Sequence, residues 1–149
     1  MNFLKKLFAA IFLRGGPGAT EKKTWRRERG DAGEKFAADF LKKECGMKIL
    51  HRNYRAGRDE IDIVARDAGT LVFVEVKTRS ENDAHGAVFA VNARKKRALR
   101  RAADEFLREL RERPPTRLDV VEVYVRERDG ALRAVHHRAL SWRSGRRAR

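Results

Sequence analysis

Asp59-Glu60-Ile61-Asp62-Ile63-Val64-Ala65-Arg66 runs into Asp67-Ala68-Gly69 and returns as Thr70-Leu71-Val72-Phe73-Val74-Glu75-Val76-Lys77-Thr78-Arg79. Both arms are rich in Ile, Val and Phe, and the short Asp/Gly link reverses the chain, so the stretch predicts a β-hairpin. Side chains alternate between the two faces of a strand. Glu60 and Asp62 therefore share one face of the first arm, and Glu75 and Lys77 one face of the second. Ionised groups among apolar neighbours such as Val74 and Val76 are costly to bury unless they are paired or hold a metal. The hairpin is where chemistry is expected.

The chemistry that fits is metal-assisted hydrolysis of a phosphodiester. Two carboxylates converging on one point suit Mg²⁺, or Mn²⁺ in its place, because such hard cations take oxygen ligands. A bound metal lowers the pKa of its water and polarises the phosphoryl group, and an adjacent ammonium orients the water or stabilises developing charge. Asp62, Glu75 and Lys77 supply that set. Spacing alone leaves a second reading equally open, a surface hairpin laced with cross-strand ion pairs, because 38% of the chain is charged.

The run from Asp59 to Arg79 resembles the PD-(D/E)xK nuclease signature, an acid on one strand followed by Glu-x-Lys on the next. More narrowly, the chain resembles the bacterial YraN family of predicted endonucleases, which is distantly similar to archaeal Holliday-junction resolvases. The match runs from about Gly30 to Leu140. Gly33-Glu34, Ile49 to Arg55, Glu60-Ile61-Asp62, Val72 to Lys77, Arg94-Lys95 and Leu118 to Val121 fall in the family's order. Asp59 is a departure, standing where the family usually has Gly. The resemblance implies a restriction-endonuclease-like fold. It also implies that Glu34 reaches the metal of Asp62 and Glu75 from the first helix, that Lys95 matches the family's lysine, and that the chain works as a homodimer.

Bulk properties agree with such a partner. The 149 residues suit one domain, and the 42% hydrophobic fraction is enough for its core. Thirty-six basic residues against 21 acidic ones leave a net charge of +15. That excess points to a polyanion, with DNA first, RNA also open, and anionic membrane second. The single cysteine, Cys45, excludes an intramolecular disulfide and a cysteine-based zinc cluster, and a reduced thiol fits the cytoplasm.

Along the chain, Met1 to Leu13 carries an apolar stripe at helical spacing but is too short to span a bilayer. It reads as a membrane-surface or partner-binding helix, or as a dispensable extension. Gly15 to Lys23 reads as a linker, so residues 1–24 precede a domain at 25–140, and a basic tail follows at 141–149. A helix is predicted from Trp25 to Glu44, with Ala32, Phe36, Ala37, Phe40 and Leu41 on its apolar stripe and Gly46 ending it. Met47 to Tyr54 predicts an edge or entry strand. Arg52 and Arg55 at its end are candidates for backbone phosphates or for surface ion pairs. Tyr54 either stacks on a base or packs. Ser80 to Ala90, with His85, predicts a loop.

Val91 to Arg113 predicts a second helix, stopped by Pro114-Pro115. Its first half carries Arg94, Lys95, Lys96, Arg97, Arg100 and Arg101 with no acid among them. Like charges repel unless a polyanion lies against them, so this run is assigned to the nucleic-acid backbone. Arg117 to Arg128 and Ala131 to His137 predict two further strands. Asp119 pairs with Arg117 or supports the site. The adjacent His136 and His137 point to opposite faces and do not share a metal.

The elements thus run α-β-β-β-α-β-β, an α/β domain with one central mixed sheet. The expected function is Mg²⁺-dependent cleavage of DNA, branched or structured DNA included. Asp62, Glu75 and Glu34 would hold metal and Lys77 would orient the water. The rival readings are a nucleic-acid-binding module without turnover and a membrane-peripheral protein recruited through residues 1–13.

Overall fold

The computed structural model describes residues 19–82, 91–126 and 128–140, with side chains from residue 27 onward. Helix α1 spans Ala19–Lys43 and is followed by β1 (Lys48–Ala56), β2 (Asp59–Asp67) and β3 (Thr70–Ser80). Helix α2 (Ala93–Arg108), β4 (Thr116–Arg126) and β5 (Ala131–Leu140) complete the described elements. The five strands form one sheet in the order β1-β2-β3-β4-β5. All neighbours are antiparallel except β3 and β4, which are parallel and joined through α2. This is the expected α/β architecture with a mixed central sheet, consistent with a restriction-endonuclease-like fold.

Each face of the sheet carries one helix. On one face Val72, Val74 and Val76 of β3 pack with Ala37, Ala38 and Leu41 of α1. On the other, Leu71 and Phe73 pack with Leu99, Ala102, Phe106 and Leu107 of α2. Burial on both faces explains why β3 reads as a nearly continuous apolar run. A charge within it is therefore conspicuous.

Several element ends differ from the expected ones. Helix α1 starts at Ala19, inside the stretch read as linker, because no breaker follows Pro17-Gly18 and Ala, Glu and Lys all favour helix. It ends as expected. Gly46 takes φ +66°, open to glycine without strain, and lets Met47 N–H donate to the Leu41 carbonyl at 3.0 Å. Helix α2 ends at Arg108, five residues before Arg113. After Leu110 only Arg111, Glu112 and Arg113 remain, with no apolar side chain to bury, and the residue before a proline disfavours helix. At its start Asn92 caps the helix, its side chain accepting from Lys95 N–H at 2.9 Å.

Met1 to Leu13, His85, most of the 80–90 loop and the tail 141–149 lie outside the described residues. Among the described residues no helix is long and apolar enough to cross a membrane.

Candidate active site

Strands β2 and β3 pair only from Ile63↔Val74 to Asp67↔Thr70. Toward the other end they part, and side-chain alternation slips with them: Ile61 joins Val64 in the α2-side core, whereas Ile63 faces α1. In the gap so opened, the Val76 backbone N–H donates to Asp62 Oδ2 at 2.7 Å. A side-chain carboxylate thus stands where a ladder carbonyl would have been. Asp62 is fixed against the strand that carries Glu75 and Lys77.

Glu75 is 1% exposed. Lys77 Nζ donates to its Oε1 at 2.6 Å, and Lys95 Nζ lies 3.0 Å from its Oε2. Lys95 reaches it from the first turn of α2, where three cations crowd the positive end of the helix dipole and no acid offsets them. Burial alone would lower the Lys95 pKa, but the Glu75 carboxylate, with Asp62 and Glu60 behind it, raises it instead. Asp62 responds in the opposite sense. Burial first, and then the Glu75 charge, push its pKa to about 7, against the Val76 hydrogen bond and Lys95, which lower it.

Glu34 lines the same groove as Asp62, an open cleft of about 720 Å³ that also holds Asp31, Asn53, Arg55 and Glu60. Its carboxylate accepts from Asn53 Nδ2 at 2.6 Å, and burial raises its pKa. Gly33 explains how α1 comes so near: a Cβ there would meet Thr78 Oγ1 at 1.9 Å. Among the described residues no three His, Cys, Asp or Glu side chains cluster as metal ligands. Glu34 shares the groove with Asp62, its carboxylate engaged by Asn53.

A second groove of about 750 Å³ adjoins the first at Glu60, which lines both. It is basic, with Arg58, Arg94, Lys95, Arg97 and Arg101 in its wall, although Asp59 holds Arg101 in a two-pronged ion pair at 2.8 and 2.9 Å. Lys96 and Arg52 do not line either groove; Arg52 is exposed on β1, and Arg55 stands 3.8 Å from Glu60. Tyr54 is packed, its ring 5.1 Å from Phe106 and its hydroxyl donating to Glu109. Asp119 pairs with Arg117 as expected, at 3.0 Å, in the row of Val74.

Residues 33–123 match the model of an uncharacterised protein family, UPF0102. The chain belongs to this family. It is 43% identical over 108 residues to a UPF0102 protein of Caldicellulosiruptor saccharolyticus, covering 72% of this chain and 91% of the relative. It is 49% identical over 98 residues to one of Symbiobacterium thermophilum (65% and 82%), and 48% over 111 residues to one of a Parafrankia species (73% and 92%). The family match opens at Gly33, the residue that lets α1 approach β3, and takes in Asn53, Asp62, Glu75, Lys77 and Lys95.

For two of these residues a reading of the sequence does not give the contact the fold makes. Asn53 sits inside a strand at φ +53°, a conformation asparagine tolerates better than most residues, and only the fold shows that it faces Glu34. Lys95 reads as one cation in a basic run. Its position in the first turn of a capped helix is the only local sign that it turns inward.

Proposed function

We propose that this protein is a metal-dependent endonuclease that hydrolyses DNA phosphodiester bonds, branched or structured DNA among its substrates. The observation that carries the reading is the placing of Asp62, through the Val76 amide, beside a Glu75 held by Lys77 and Lys95. Burial and the Glu75 charge push the Asp62 pKa to about 7, an opposition to its ionised form that a bound cation would relieve. Oxygen ligands of this kind fit Mg²⁺ or Mn²⁺, so Asp62 and Glu75 are the residues that would hold it, and Glu34, lining the same groove, the one that would assist. When bound, the metal supplies Lewis acidity toward the phosphoryl oxygens and a more acidic water.

The chain's own residues do the rest. The Val76 N–H fixes the Asp62 carboxylate. Lys77, a third exposed beside Glu75, is placed to hold the attacking water and meet negative charge as it develops on the phosphate. Arg94 and Arg97, exposed along the basic groove, would hold backbone phosphates without reading sequence.

The test is cleavage of labelled linear, single-stranded and four-way-junction DNA with Mg²⁺, Mn²⁺ or EDTA, comparing wild type with Asp62→Ala and Lys77→Ala. Cutting that needs metal and is lost in both variants, with binding retained, supports the reading. One observation favours a second reading, a binding module without turnover: both Glu75 oxygens already have lysine partners. Wild type that binds and never cuts would select it.

A further inference from the structure

Helix α2 packs over β1 and β2, and on β3 and β4 it reaches only Leu71, Phe73, Leu118 and Val120. Past that point the same face of β3, β4 and β5 turns polar. The ladder sets Lys77 beside Glu122, Arg79 beside Tyr124, and Tyr124 beside Arg133, so the cations stand in adjoining cross-strand rows. Glu122, 2% exposed, organises them from beneath. Its Oε2 accepts from Tyr124 Oη at 3.1 Å and stands 3.0 Å from His137 Nε2, while its Oε1 lies 3.5 Å from Arg79 Nε. The Arg133 guanidinium sits over the Tyr124 ring at 4.5 Å, which fixes its direction without using its N–H donors.

The geometry points to this strip as a seat for the backbone phosphates of the DNA strand that flanks the bond at Asp62 and Glu75; it rests on the proposed nuclease reading. The strip is continuous with that site, because Lys77 belongs to both. Strand β3 advances about 13 Å from Glu75 to Arg79, enough for a nucleic-acid strand to meet more than one cation. The acids lie beneath the cations. Glu75, which holds Lys77, and Glu122, beside Arg79, are 1% and 2% exposed, and Glu81 is 3.9 Å from Arg133, so what the strip presents to solvent is chiefly Lys77 and Arg133. The cations stay accessible, with the Arg133 side chain 57% exposed and Lys77 34%. Arg133 is held over Tyr124 and Arg79 lies 3.5 Å from Glu122, so the freedom lost when phosphate binds is reduced.

The test is the affinity of the full chain for fluorescein-labelled single-stranded and duplex DNA, by fluorescence polarisation in EDTA across a salt series. Arg133→Gln and Arg79→Gln are compared with Arg66→Gln, an exposed arginine at the other end of β2. Melting curves confirm that each variant is folded; Arg133, largely in solvent, secures the comparison if Arg79→Gln does not fold. The expected result is binding weaker by about tenfold for Arg133→Gln and a salt slope flatter by about 1, with Arg66→Gln near wild type. Arg133→Gln matching Arg66→Gln in affinity and slope overturns the seat, whether or not the protein cuts DNA. Weakened binding to phosphatidylserine vesicles with DNA binding intact would also overturn it. Because no metal is present, a protein that never cleaves but loses DNA affinity through Arg133 keeps the seat and loses the nuclease reading.

Discussion

The Asp62 carboxylate takes the backbone N–H of Val76 at 2.7 Å, just past the last rung that joins β2 to β3. This one bond carries two demands. It closes the gap where the strands part, and it points an acid at the strand that holds Glu75. Asp62→Asn keeps the size of the side chain and an oxygen to accept from Val76, so the fold is expected to survive. What it removes is the charge. In a cleavage assay with Mg²⁺ we expect a fall of about 10²-fold or more, with DNA affinity in EDTA unchanged or higher, since a negative charge facing the polyanion has gone.

The same residue sets a pH dependence in the metal-free protein. Asp62 ionises near 3.8 in the unfolded chain and at about 7 in the folded one, because burial and Glu75 oppose its charge. Between those values the folded state keeps a proton that the unfolded state has lost. Its contribution to stability is full below pH 3.8, falls as pH rises toward 7 and is exhausted above it, a loss on the order of 4 kcal/mol. Urea unfolding in EDTA at pH 5 and pH 8 should show that decline in the wild type and a shallower one in Asp62→Asn. Added Mg²⁺ at pH 8 should restore stability to the wild type alone.

The sheet was legible because its strands are long runs of Val, Ile and Phe; Asp62, Glu75 and Lys77 interrupt such runs, although spacing alone left cross-strand ion pairs equally open. Lys95 and Asn53 were not legible in those roles. Each acts through a partner brought up by another element, Glu75 on β3 for Lys95 and Glu34 on α1 for Asn53. Strand alternation likewise misplaces Ile61, since no local pattern announces that β2 and β3 separate after Ile63. The ends of α1 and α2 follow from what is available to bury, and their charge-rich flanks carry little apolar signal.

Gly33 is predicted to tolerate nothing larger. A Cβ there would lie 1.9 Å from Thr78 Oγ1 and 3.0 Å from Thr78 Cβ, so α1 must back away from β3 or Thr78 must turn. Gly33→Ala should lower stability by about 1–3 kcal/mol in chemical denaturation despite the better helix propensity of alanine. Thr78→Ala alone removes the Oγ1 and Cγ2 atoms, so the double variant should recover part of the loss. Equal and additive losses would mean that the helix–strand contact is looser than the geometry implies.

Asp119 offers the contrasting case of a buried acid whose role is to hold the fold. It is fully buried, and three groups meet it: Arg117 Nε at 3.0 Å, His136 Nε2 at 2.8 Å and the Ala139 N–H at 2.9 Å, while Arg117 also reaches Asp67 at 2.8 Å. Burial alone would raise its pKa; the His136, Ala139 and Arg117 contacts outweigh that and lower it. A depressed carboxylate stabilises the fold above its unfolded value of 3.8, and that stability is lost as pH falls through the lower folded value. Asp119→Ala also strands Arg117 and the Ala139 N–H, so we expect a loss of about 3 kcal/mol or more at pH 7. Because Asp119 shares its row with Val74 on the α1 face of the sheet, whereas Glu75 shares its row with Val120 on the other face, any Asp119→Ala protein that remains folded should bind DNA with the wild-type salt slope. A changed slope would mean that this cluster, too, shapes the nucleic-acid surface.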